Sequence, residues 1–145
     1  MPGGSHHRKL RDRTRHIATY AGQPTRLPLF CIFTRMNSIE AAEQIDHILS
    51  GDGMQLLYLS RPDCGVCTAL KPTVTAMLEE FPRIEAWDID LDRFPVLAGR
   101  FEVFTIPAVL LYAGGREFVR EARHFSVEDL ARRIGRYYDL MYSTA

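Results

Sequence analysis

Cysteine is scarce in this chain: Cys31, Cys64 and Cys67 are the three present in 145 residues. Three is an odd number and too few for the disulfide framework that staples a small secreted domain. The chain must therefore fold on an apolar core, and a reducing compartment, or one reactive pair plus a spare thiol, fits this usage. Tryptophan is scarcer still, with Trp87 alone. No apolar run reaches the ~18 residues of a membrane span. The short run in "RLPLFCIF" is broken by Pro28 and has no small-residue cleavage pattern after it, which argues against a secretory signal. A cytoplasmic protein without membrane contact is expected. Internal repeats and low-complexity tracts are also missing. There is no phosphate loop, nucleotide fingerprint or pair of catalytic carboxylates, so the chemistry must be sought elsewhere.

Net charge is zero, but it is unevenly spread. Residues 1–35 carry seven basic side chains against Asp12 alone, while residues 36–145 carry eleven basic and seventeen acidic ones. The first segment has no apolar period and is punctuated by Pro2, Gly3, Gly4, Gly22, Pro24 and Pro28. It reads as a flexible basic arm, an unstructured leader with Cys31 as a bystander thiol. Contact with nucleic acid or an acidic surface is the competing reading of such a charge run, but no nucleic-acid partner is expected.

Residues 36–145 read as one folded domain. "NSIEAAEQIDHILSG" has helical spacing, with Asn37 and Glu40 as a capping box and Gly51 as a stop. "MQLLYLS" is a short apolar run between Gly53 and Pro62, a buried strand. "VCTALKPTVTAMLEEF" predicts a helix that packs through Val66, Leu70, Val74, Met77, Leu78 and Phe81, with Pro72 inside it. "RIEAWDID" predicts a second buried strand, and a short proline-containing helix follows in "DRFPVLAGRFEV". "PAVLLYAGGREFVREAR" is a hairpin around Gly114-Gly115. Ser126 caps a closing helix that buries Val127, Leu130, Ile134, Tyr137 and Leu140. The order α-β-α-β-α-β-β-α implies a parallel crossover followed by an antiparallel edge, hence an α/β fold with a mixed sheet and helices on both faces.

The chemistry concentrates in "SRPDCGVC", residues 60–67. The strand-cysteine pair-helix order places Cys64 at a helix N-terminus, where free N–H groups and the helix dipole favour a thiolate, the nucleophilic form. Cys67 lies one turn on, on the same side and within disulfide reach, and Gly65 allows a tight turn without a side chain beside the attacked sulfur. Such a pair can attack a disulfide through Cys64 and close on itself through Cys67. Metal binding is the main competitor. A structural zinc site wants four ligands, and only Cys31, His47 and His124 could complete one, at no recognised spacing. No metal or other cofactor is expected. A redox-switch cysteine pair on a binding module without turnover is the remaining alternative.

Over residues 37–141 the sequence resembles the thioredoxin-like family. Four features carry the resemblance: "CGVC" after a buried strand, Pro72 five residues beyond the second cysteine, "WDIDLD" at a strand end, and "FTIPAVLLYAGGRE". The resemblance implies a thioredoxin fold with a central sheet of about four strands. It also implies a thiol-disulfide oxidoreductase acting on protein disulfides, re-reduced by an unidentified reductase and working as a monomer. Ile106-Pro107 would be a cis peptide beside the cysteines. Ile106 would offer its backbone to an extended substrate segment, with Thr105, Pro107, Gly65 and Val66 completing the substrate-contacting set.

The sequence departs from the family's pattern at several positions. Asp63 and Val66 replace the family's tryptophan and proline around the motif. Asp63 puts a like charge beside the Cys64 thiolate, though a helix cap is its expected role. Tyr58 stands where the family has a buried aspartate, and Ala86 where its partner lysine falls. Tyr58 is expected to pack in the core, which leaves Asp88 as the candidate proton acceptor for Cys67. Arg123 replaces a glycine expected before the last helix.

Overall fold

The computed structural model describes residues 36–143; the expected basic arm and Cys31 lie outside them. The elements in chain order are β1 (Asn37–Ser38), α1 (Gln44–Leu49), β2 (Met54–Ser60), α2 (Gly65–Met77) and a single 3-10 turn (Leu78–Glu80). They are followed by β3 (Glu85–Asp90), α3 (Val96–Arg100), β4 (Ala108–Ala113), β5 (Arg116–Ala122) and α4 (Val127–Tyr142). The strands form one sheet in the order β1-β3-β2-β4-β5. β1 and β2 both run parallel to β3, whereas β4 is antiparallel to β2 and to β5.

The alternation of β2 sets the layers. Successive side chains of a strand point to opposite faces. Met54, Leu56 and Tyr58 enter a core with Val74 and Met77 of α2 and Leu130 and Ile134 of α4. Leu57 and Leu59 enter a second core with Ile45 and Ile48 of α1 and Leu97 of α3. A strand covered on both faces needs an unbroken apolar run rather than alternation, which is why "MQLLYL" carries so little polarity. Each fully buried leucine contributes about 1.5–3 kcal/mol relative to exposure.

The sheet has five strands rather than about four, because Asn37 and Ser38 pair with Trp87 and Asp88. That pairing removes the expected capping box. Helix α1 begins instead at Gln44, whose side-chain oxygen accepts from the N–H groups of Glu40 (2.6 Å) and Ala41 (3.1 Å). Two other expected core positions lie outside: Val66 is 56% exposed and Leu140 faces outward near the end of α4. The hairpin turn is as expected, with positive φ at Gly114 (55°) and Gly115 (74°), a conformation that suits glycine and the twist of the strands. Ser126 caps α4 by accepting from the Asp129 N–H at 3.3 Å. Arg133 of α4 pairs with Glu121 of β5 and Arg132 with Asp129, so this basic face is partly tied down rather than simply solvated.

Candidate active site

Strand β2 ends at Ser60, and four residues later Cys64 caps helix α2. Its backbone is extended (φ −86°, ψ 101°), and its sulfur accepts from the Cys67 N–H at 3.1 Å. Its carbonyl accepts from the Thr68 N–H (3.1 Å) and the Thr68 hydroxyl (3.2 Å). The cap expected of Asp63 is thus supplied by the cysteine itself. Asp63 is exposed beside it and adds a negative charge to a helix start that otherwise favours anions.

Cys64 and Cys67 are joined in a disulfide with Cα atoms 5.2 Å apart. The two sulfurs differ in access: Cys67 is 2% exposed and Cys64 only half-buried. Gly65 is exposed, and a Cβ added there would meet nothing within 4 Å. Packing therefore does not demand glycine, and Gly65 is not among the glycines with positive φ, contrary to the tight turn anticipated.

Beneath the pair lies Tyr58, fully buried, its hydroxyl donating to the Cys67 carbonyl at 2.6 Å. Burial, reinforced by the nearby Asp88 carboxylate, pushes the Tyr58 phenol up to about 12, so it remains a neutral donor across the ordinary pH range. Packing was the expected role of Tyr58, and it does pack, with Ala86 in the same core. The bond to Cys67 was not foreseen, although a buried phenol must find a partner. Lys71, one turn after Cys67, is ion-paired with Asp88 across the helix-sheet interface. The carboxylate considered as proton acceptor for Cys67 is thereby engaged by a lysine that the sequence reading passed over. The i, i+4 spacing from Cys67 was the available signal.

The second wall comes from the segment before β4. Ala108 pairs with Leu59, so Thr105, Ile106 and Pro107 leave the sheet at the same end as residues 61–64. The Ile106-Pro107 peptide is cis. Thr105 is exposed, Ile106 half-buried and Pro107 buried. The Pro107 carbonyl accepts from the Arg123 N–H at 2.8 Å. Arg123 has φ 69°, so it retains the left-handed backbone that suits the glycine expected there while carrying a long cationic side chain. His47 and His124 are both exposed. Among the described residues no group of three or more His, Cys, Asp or Glu side chains could hold a metal.

A disulfide pair that caps a helix, with a cis-proline segment leading into the neighbouring strand at the same end of the sheet, defines a thiol-disulfide oxidoreductase. The chain belongs to the thioredoxin family: the model of that family, described as Thioredoxin, matches residues 36–135. A thioredoxin-like protein of Bacillus subtilis, YdfQ, is 37% identical over 105 residues, covering 72% of this chain and 94% of the relative. A second from the same organism, YusE, is 30% identical over 87 residues, covering 60% and 80% respectively. Among solved structures, the thioredoxin of Trypanosoma brucei brucei superposes with a TM-score of 0.67 at 16% identity, covering 72% of this chain and 91% of that one. That likeness speaks for the fold.

Proposed function

We propose that the protein exchanges its dithiol with disulfides of other proteins, with Cys64 as the attacking thiol and Cys67 as the resolving one. The carrying observation is the difference in access: Cys64 is half-buried at the helix cap, whereas Cys67 is 2% exposed. In the reduced protein the Cys64 thiolate attacks one sulfur of the substrate disulfide. The substrate S–S bond breaks, a mixed disulfide forms, and the first substrate thiolate leaves and takes a proton from solvent. Cys67 loses its proton and attacks the Cys64 sulfur. The second substrate thiolate leaves, and the Cys64–Cys67 bridge forms. Two electrons have passed to the substrate.

The rest of the site serves this sequence. The α2 N-terminus stabilises the Cys64 thiolate between steps. Ile106 and Thr105 present backbone to an extended substrate segment, Pro107 closes the wall behind it, and Gly65 and Val66 border the attacked sulfur. A separate reductase returns the bridge to the dithiol. The protein works as a cytoplasmic monomer, with residues 1–35 as an arm outside the catalytic domain.

Limiting alkylation of the reduced protein near neutral pH tests the assignment, with Cys31 replaced by serine to silence it. Cys64 should be labelled first, and Cys67→Ser should accumulate mixed disulfides that Cys64→Ser does not form. Preferential labelling of Cys67 would reverse the roles. A protein that forms the bridge but turns over no disulfide substrate would be a redox switch instead.

A further inference from the structure

Phe104 is 90% exposed, the most exposed large apolar side chain among the described residues. Its surroundings make that exposure specific. Phe101 and Val103 are buried in the second core, and Ile106 packs against it. Phe104 belongs to neither core. Full burial of a phenylalanine contributes about 1.5–3 kcal/mol, which this position forgoes while its neighbours do not.

The segment is also held in place. The Val103 N–H donates to the Ala98 carbonyl at 2.9 Å, and the Pro107 carbonyl accepts from the Arg123 N–H at 2.8 Å. The Arg120 guanidinium donates to the Phe101 carbonyl at 2.8 Å. Phe104 therefore stands on a short span anchored on both sides. That span leaves the sheet beside the strand that leads into Cys64. Val66, inside the disulfide loop, is 56% exposed. An exposed apolar side chain thus stands on each of the two segments that meet at this end of the sheet, one carrying the cysteine pair and one the cis-proline. A single exposed apolar residue needs no explanation, but two on the segments at this end of the sheet, one of them an anchored aromatic, are what a recognition surface requires.

We infer that Phe104, with Val66, is a specificity surface that selects substrate segments carrying a bulky apolar side chain beside the disulfide cysteine. The inference rests on the thiol-disulfide exchange proposed above. An extended segment lying along the Thr105–Pro107 backbone must pass next to Phe104. An apolar side chain there removes both surfaces from water, whereas a small or polar one leaves the ring wet. Asp63, exposed and with no hydrogen bond or ion pair within the described residues, adds a fixed negative charge that disfavours acidic flanks.

Two disulfide-linked peptide homodimers, identical except for leucine or serine next to the cysteine, provide the test. Pre-reduced protein is mixed with each peptide, quenched with acid and alkylated, and the second-order rate constant for bridge formation is read by mass spectrometry. Wild type should prefer the leucine peptide by about tenfold, the scale of discrimination expected from one apolar contact. Phe104→Ser should bring the two rates within about twofold, and Phe104→Leu should restore most of the preference. Because the readout is a ratio within each variant, a uniform change in reactivity does not mimic it. Equal rates in wild type, or a preference that survives in Phe104→Ser, overturn the inference while leaving the exchange reading intact. No reaction with either peptide overturns the exchange reading itself. Sedimentation completes the test: a wild-type dimer at micromolar concentration that Phe104→Ser dissolves would mean that a second copy of this chain covers the ring, against the inference.

Discussion

The Tyr58 hydroxyl donates a 2.6 Å hydrogen bond to the carbonyl of Cys67. A fully buried residue of the central strand thereby holds the peptide of the inner cysteine, in the first turn of the helix that both cysteines open. Tyr58→Phe keeps the ring and its packing but removes the donor. The expected cost is about 0.5–1.5 kcal/mol, the net value of a typical hydrogen bond, read as a lower midpoint in urea unfolding at an unchanged m-value. No loss would mean that the contact carries no stability.

The same phenol gives the protein an alkaline limit. Tyr58 is held up to about 12 by burial and then by Asp88, and Tyr112 to about 12 by burial and its bond to Glu117. An unfolded tyrosine ionises near ~10. Between these values the folded state binds more protons than the unfolded one, so stability is full below about pH 10 and is lost as pH rises towards about 12. Unfolding midpoints measured across this window should fall steadily in wild type and less steeply in Tyr58→Phe. Parallel slopes would show that Tyr58 does not contribute.

Arg123 sits at φ 69°, which costs a non-glycine residue of order 1–3 kcal/mol. Glycine there relieves the strain but adds some chain entropy in the unfolded state. Arg123→Gly should therefore be more stable by about 1 kcal/mol, seen as a rise of several degrees in Tm. A fall in Tm would mean that the guanidinium makes a stabilising contact outweighing the strain.

Asp88 is tied to Lys71, and the pair is only partly exposed. Asp88→Asn should cost about 1 kcal/mol of stability, near the upper end for a pair of this exposure. Because the carboxylate is already engaged by a cation, the pH dependence of bridge closure should stay as in wild type. A displaced pH profile in single-turnover kinetics would instead place Asp88 in the proton path of Cys67.

The Phe101–Val103 turn depends on Arg120, which also pairs with Glu117 at 2.7 Å. Arg120→Ala removes the donor to the Phe101 carbonyl and leaves Glu117 with Tyr112 alone. Faster amide exchange is expected at Val103 and Phe104, with β2 protection unchanged. Uniform loss of protection would indicate global destabilisation rather than a released turn.

Features that depend on local periodicity were legible in the sequence. The unbroken run in β2 signalled a strand covered on both faces, Gly114-Gly115 fixed the hairpin, and Cys64 after a strand marked a helix start. Features that depend on distant partners were not. Asn37 and Ser38 look like a helix cap until β3 offers them a strand to pair with. Val66 and Leu140 keep helical spacing but fall beyond the edge of the core, where period alone cannot tell inside from outside. Lys71 and Asp88 stand 17 positions apart, and their meeting follows only from how α2 crosses the sheet. Phe104 was passed over because an apolar residue in a loop gives no periodic signal.

At Cys64 one sulfur both caps the helix and closes the disulfide with Cys67. A serine there supplies a better capping oxygen than sulfur and cannot form a disulfide. Loss of exchange and loss of stability need not travel together at this position: compared with the reduced wild type, which likewise has no bridge, the serine variant can be the sturdier one. The wild-type cysteine then marks a place where architecture has yielded ground to reactivity.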